Sequence, residues 1–284
     1  SKKKITLKSF FYLVICFFKF FSFSNLFLYL KFFFKGITKK YYLVFFLDLF
    51  LHDVHLKLLR KHNVNFSTLF LNGIAHIQHH YLFNSKLIEN NIKNPDWYLS
   101  ENEDPFFEIL KLYDRIIGDY LNNKNYNLLV ATGLSQVKYD RIKFYYRLKN
   151  HENFLKKIGI NYKKVSPRMT RDFLIEFTNE SLAVDAEKQL KMITIDKKEN
   201  LFGVIENRGK SLFITLTYPN EIKDTNNLYF NNNIIHKGLE DLTFVAIKNG
   251  MHSGEGYMFN NFVKKSEIIE VKEIFFFLKK YFKI

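Results

Sequence analysis

The chain has 284 residues and a net charge of +15, from 43 basic and 28 acidic side chains. Its hydrophobic and charged fractions, 47% and 25%, are those of a folded protein, which excludes a disordered or fibrous chain. One cysteine, Cys16, excludes an internal disulfide framework and any cysteine-based zinc site.

The basic balance favours anionic partners such as phosphorylated molecules or acidic head groups. The lysines are spread along the chain and form no stripe interleaved with aromatics, so specific nucleic-acid binding is not expected. Phenylalanine and tyrosine number 33 and 17. With abundant Lys, Asn and Ile this is the signature of an AT-rich coding sequence, and most single phenylalanines read as core filler.

Residues 9–34 are intensely apolar and aromatic. Lys19 and Lys31 divide the run, and Ser22, Ser24 and Asn25 make its middle polar. A lysine at mid-membrane depth costs about 2.5–3.5 kcal/mol, which disfavours a true span. Lys2-Lys3-Lys4 precedes the run as in a signal peptide, but no small-residue cleavage site follows. The segment therefore reads as one or two amphipathic helices, packed on a core or lying on a membrane surface.

Apolar spacing predicts a helix over 41–62, where His52 and His55 share a face as a surface pair. A short buried strand is expected at 66–72 and a helix at 81–92. Loops follow at 94–98 and 101–105, then an amphipathic helix at 106–121 and an apolar strand at 126–132 turning at Gly133. Further helices are expected at 141–157 and 182–192, and strands at 170–177, 200–206, 211–218 and 242–248. The tail 265–284 is expected to end in a basic, aromatic helix. No repeat appears, nor any linker rich in Gly, Pro or Ser, so one α/β unit with helical additions is the economical arrangement.

Three of the nine histidines, His76, His79 and His80, fall within five positions, just past the expected strand at 66–72. Ligands of open α/β sheets bind at that strand end, and neutral imidazole is the commonest metal ligand. Arg168 and Arg171 flank Thr170, and their guanidinium forks match phosphate or carboxylate oxygens. Thr132, beside Gly133, offers a hydroxyl and a backbone N–H to an anion. Tyr145-Tyr-Arg147 reads as core aromatic packing, and His151 and His236 receive no role.

Four pieces, in order, resemble the type I phosphodiesterase/nucleotide pyrophosphatase branch of the alkaline-phosphatase superfamily. Asn72-Gly-Ile-Ala-His76 is similar to that branch's Asp-x-x-x-His metal motif. Tyr113-Asp-Arg-Ile-Ile-Gly-Asp-Tyr-Leu121 looks like its helix of type Asp-x-x-Ile-Gly-x-Leu. Leu128-Leu-Val-Ala-Thr-Gly-Leu-Ser135 stands where the family has a strand ending Ser-Asp-His-Gly. Gly250-Met-His-Ser-Gly254 stands where the last metal histidine belongs. Departures are plain: Asn72 replaces an aspartate, Thr132-Gly133 replaces an Asp-His pair, and no nucleophile is found before Asn72.

The resemblance implies a three-layer α/β/α sandwich with a mainly parallel sheet over 41–284, preceded by an aromatic helical segment at 1–40. The fold would lack its N-terminal part if the missing nucleophile lies upstream. It implies one divalent metal, Zn or Mn, held by Asn72, His76 and His252, with His79 or His80 able to substitute. His79, His80, Thr132, Arg168 and Arg171 would contact an anionic, phosphate-containing substrate. The expected function is that of a divergent metal-dependent phosphohydrolase or phosphodiesterase. The alternative is a catalytically inactive binding or scaffold subunit in surface-polysaccharide or lipid assembly, touching membrane through 9–34. The expected location is cytoplasmic or peripheral to a membrane.

Overall fold

A computed structural model describes residues 6–89, 91–123, 125–263 and 268–283. The basic Lys2-Lys3-Lys4 start and residues 265–267 of the expected tail helix lie outside them. The fold is mixed α/β. By its contacts the chain divides into two compact units. Unit one takes Ser1–Lys93, Leu99–Lys138 and Gly250–Ile284; unit two takes Asn94–Tyr98 and Tyr139–Asn249. The aromatic N-terminal helices thus belong to a larger body, and no division falls near residue 40.

Unit one is built on helices α1 (Leu7–Phe20), α2 (Leu26–Thr38), α3 (Tyr42–Lys61), α4 (Gly73–Tyr81) and α5 (Pro105–Leu121). Two of these helices start at a capping side chain. Thr6 caps α1 by accepting from the Ser9 N–H, and Asp104 caps α5 by accepting from the Phe107 N–H, with Pro105 at the first helical position. The helix expected at 41–62 is α3 and that at 106–121 is α5. Strand β1 (Leu129–Ala131) pairs antiparallel with β12 (Met258–Asn260), and α8 (Glu273–Phe282) closes the described chain.

The organising helix is α3. It buries three polar side chains, Asp48, His52 and Asp53, each serving a different neighbour. Asp53 accepts from the Ser22 N–H at 2.7 Å, Asn25 Nδ2 at 2.8 Å and the Tyr29 hydroxyl at 2.7 Å, which fastens the bend between α1 and α2. Phe17 of α1 stacks against Phe46 and meets Phe50 of α3. His52 lies 2.9 Å from Asp119 through Nε2, and the Tyr120 hydroxyl lies 2.7 Å from His55 Nδ1. Burial and the neighbouring His52 push the His55 imidazole pKa down. The expected surface pair is therefore an anchorage of α5.

Unit two holds β3 (Lys164–Pro167), β4 (Asp172–Glu176), β7 (Phe202–Asn207) and β8 (Ser211–Leu216), ordered β3-β4-β8-β7. A second sheet, β10-β9-β5-β6, comprises β5 (Ile193–Ile195), β6 (Glu199–Asn200), β9 (Leu228–Phe230) and β10 (Asn233–Ile234). Helices α6 (His151–Lys157) and α7 (Glu180–Lys191) share its core with residues such as Phe154, Phe173, Leu190 and Ile214. Strands β2 (Ser135–Leu148) and β11 (Leu242–Ser253) pair with each other.

The mainly parallel sheet is corrected. All pairings of defined register are antiparallel, and the sheets hold two or four strands. Antiparallel neighbours joined by short turns suit these short strands, whereas parallel ones need long crossovers. Residues 66–72 pair with no strand among the described residues; Phe66 and Phe70 are exposed there. The helix expected at 81–92 stops at a 3-10 turn, Leu82–Asn84. Asp104 accepts from Ser85 Oγ and the Lys86 N–H, drawing the backbone out of the helix. The helix expected at 141–157 splits into β2 and α6, because Phe144, Tyr146 and Leu148 bury every second residue.

Asp53→Ala leaves three donors without their acceptor. Urea unfolding is expected to show a loss of about 3 kcal/mol, against less than about 0.5 kcal/mol for Asp185→Ala on the exposed face of α7. Equal effects would contradict the role given to Asp53.

Candidate functional site

The histidine cluster occupies α4, and its placement starts from a carboxylate. Asp48 Oδ2, buried on α3, accepts from the Gly73 N–H at 2.8 Å and from the Tyr113 hydroxyl at 2.6 Å. A negative oxygen at the first residue of a helix meets the unsatisfied N–H groups and the positive end of the helix dipole. Gly73 is required by that approach: a Cβ there would lie 2.2 Å from Asp48 Oδ2 and 2.7 Å from Ile109 Cδ1. Burial pushes the Asp48 carboxyl pKa up, while the bonds from Tyr113 and the Gly73 and Asn72 backbone pull it down, with a net rise. Burial and the Asp48 charge raise the Tyr113 phenol, which stays a donor.

From that start, His76 and His80 lie one turn apart with ring centres 4.9 Å from each other. His79 points to β11. Its Nδ1 lies 2.9 Å from the Gly250 carbonyl oxygen, and its Nε2 lies 3.0 Å from His252 Nε2, across 173 residues of sequence. A carbonyl only accepts, so Nδ1 of His79 carries a proton; in the neutral ring its Nε2 then holds the lone pair and accepts from the Nε2–H of His252. That is the tautomer of a metal-ligating imidazole, with the backbone carbonyl as the partner that fixes the ring. Gly250 permits the approach: a Cβ would lie 2.8 Å from the Gln78 carbonyl oxygen on α4. Gln136 ties β2 to the same helix through the Ala75 carbonyl at 3.0 Å.

The expected residues are distributed as follows. The histidine that meets His252 at hydrogen-bonding distance is His79, the substitute named for His76. Asn72 is exposed at the N-cap of α4 and makes no capping bond with its side chain. Thr132 is engaged: its Oγ1 accepts from the Tyr257 N–H at 2.9 Å and its N–H donates to the Tyr257 carbonyl at 2.8 Å, next to the β1–β12 ladder. Its hydroxyl serves the β1–β12 connection. Arg168 and Arg171 belong to unit two, where Arg168 donates its N–H to the Asp172 carbonyl and Arg171 lines a cleft. Asp48, the most consequential group at the start of α4, was not singled out from sequence. Its signal is an acid in an otherwise apolar run, Phe45-Phe-Leu-Asp-Leu-Phe-Leu51.

Among the described residues no group of three or more His, Cys, Asp or Glu gathers to hold a metal. Two imidazole nitrogens do converge, and their 3.0 Å separation is close to the ligand spacing of a tetrahedral zinc site, about 3.3 Å. The donor set fits two positions of such a site. No family model, curated protein or solved structure matches this chain.

Because the folded Asp48 carboxyl holds its proton more tightly than the unfolded one, its ionisation works against stability as pH rises. The unfolding free energy of wild type minus that of Asp48→Asn is expected to fall as pH rises from below the ordinary carboxyl range through the raised folded-state pKa, then level off. A difference that grows with pH would contradict the assignment.

Proposed function

We propose that unit one binds one divalent transition-metal ion, zinc or manganese, between His79 and His252, and that the protein acts on a phosphate ester. The carrying observation is the His79–His252 contact, with the His79 tautomer set by the Gly250 carbonyl. Two imidazoles leave coordination positions for water and a phosphate oxygen. When bound, the ion would polarise a phosphoryl oxygen and favour attack on phosphorus. The chain's own residues hold the histidines: Asp48 fixes the start of α4, and Gly250 lets β11 approach it.

The reading draws support from where the four resembling motifs lie. Asn72–His76, Tyr113–Leu121, Leu128–Ser135 and Gly250–Gly254 all belong to unit one. Asn72–His76 touches Tyr113–Leu121 through Gly73 and Tyr113, and His252 of the last motif meets His79, in the turn after His76. The parallel three-layer arrangement plays no part in it, because function resides in the site and not in the fold class. No residue is assigned as nucleophile.

Purified protein is expected to bind about one zinc ion per chain, with His79→Ala and His252→Ala each lowering affinity at least tenfold and His236→Ala leaving it unchanged. The wild type is expected to hydrolyse bis(4-nitrophenyl) phosphate with zinc or manganese and to lose that activity in chelator. Equal zinc binding by all three variants would refute the site. Binding without turnover would refute the hydrolase reading alone.

A second reading rests on a different surface. Helix α1 buries none of its residues, and Phe18, Phe23 and Phe27 are 67%, 79% and 84% exposed. Lys8, Lys19 and Lys40 lie among them, exposed. No single helix of the described residues is long and apolar enough to cross a membrane, and α1 with the segment 23–38 forms a pair bent by 101°. Aromatic faces edged by lysine suit the interface of an anionic bilayer. On this reading the protein is a membrane-surface binding or scaffold subunit. It is expected to co-sediment with phosphatidylserine vesicles, more weakly as salt rises from about 50 to about 300 mM, and Phe23→Glu/Phe27→Glu should abolish it. Absence of wild-type co-sedimentation at low salt would overturn this reading.

A further inference from the structure

Unit two contains a cleft that the histidine site does not use. It arises from the alternation of β2. Even-numbered Phe144, Tyr146 and Leu148 enter the core, while Tyr139, Arg141, Lys143 and Tyr145 line an open cleft of about 570 Å³. Arg171, just before β4, and Lys198, just before β6, complete its basic lining. Four cations thus face one carboxylate, Glu199, and Glu199 already accepts from Asn220 Nδ2. Among the described residues none of the four cations forms an ion pair.

Like charges repel, so neighbouring groups must hold these cations together. The tyrosines do so. The Arg171 guanidinium lies 3.9 Å from the centre of the Tyr145 ring, and Lys248 Nζ lies 5.1 Å from it. Lys143 Nζ lies 4.1 Å from the Tyr139 ring. Such contacts orient a cation without neutralising it. Burial, and after it the charge of Arg171, lower the Lys248 ammonium pKa. The rings each already face a cation, which makes them poor platforms for a nucleobase. The chemistry that satisfies a guanidinium fork and several ammonium points at once is a compact oxyanion of multiple charge.

We propose that this cleft is a receptor for a diphosphate group, with Arg171 as the bidentate donor and Arg141, Lys143 and Lys198 as surrounding charges. The proposal does not rest on the histidine site, and its test excludes metal. Calorimetric titration in chelator, at about 150 mM salt, is expected to show saturable one-to-one binding of inorganic pyrophosphate and at least tenfold weaker binding of inorganic phosphate. Lys143→Met/Arg171→Met should weaken pyrophosphate at least tenfold. Lys156→Met/Lys188→Met, which removes the same charge from the exposed helices α6 and α7, should change it less than twofold. Equal losses in the two double variants, or no wild-type binding, would overturn the proposal. Should the cleft variant fail to fold, Arg171→Lys decides: severalfold weaker binding supports the fork, and unchanged affinity overturns it.

Discussion

One buried carboxylate, Asp48, sets the geometry of unit one. Its oxygen takes the Gly73 N–H and the Tyr113 hydroxyl together, so three helices meet at one atom. Removing such an acceptor strands two buried donors, and the direction in which α4 leaves α3 would lose its cause. That direction carries His79 toward β11. The same helix repeats the device with Asp53 and His52, so α3 is an apolar helix whose few polar groups act as fasteners. A buried charge is costly to desolvate, and donors meet Oδ2 of Asp48 and both oxygens of Asp53.

Two separate chemistries follow from this architecture. In unit one, a backbone carbonyl selects the imidazole tautomer and leaves two nitrogens face to face, an arrangement suited to a cation. In unit two, strand alternation places cations on one face of β2 and aromatic rings hold them in place, an arrangement suited to an anion. A protein with net charge +15 has a general attraction for anions. The cleft differs from that background because its cations converge and, among the described residues, form no ion pair, whereas Lys31, Lys157 and Lys191 have carboxylates close by.

Much of the helical layout was legible in the sequence, because α3 and α5 carry apolar residues at helical spacing and α5 and α7 begin at the capping residues Asp104 and Asn179. The strands β4, β7 and β8 were legible as short runs of strand composition, but their antiparallel pairing was not. What escaped was set by tertiary partners. Residues 66–72 have strand composition but meet no strand among the described residues, and the chain leaves the helix at Ser85 and Lys86, which are bonded to Asp104, distant in sequence. The 141–157 segment looks helical by its charges, yet Phe144, Tyr146 and Leu148 obey the alternation of a buried sheet face. The convergence of the α4 histidines with the Gly250-Met-His252 run was expected from motif order. That the contact is made through His79 depended on the helix rotation fixed by Asp48, which no local pattern encodes. The parallel sheet was inferred from resemblance alone, and the short strands of this chain pair antiparallel instead.

The central claim is that His79 and His252 present facing nitrogens because the Gly250 carbonyl holds the proton of His79 on Nδ1. Long-range nitrogen–proton correlation spectra of the uniformly nitrogen-15-labelled protein test it directly, with and without one equivalent of zinc. The account predicts an Nδ1–H tautomer for His79 and simultaneous shifts of both Nε2 resonances on zinc addition. An Nε2–H tautomer for His79, or a zinc response confined to one of the two rings, would contradict it.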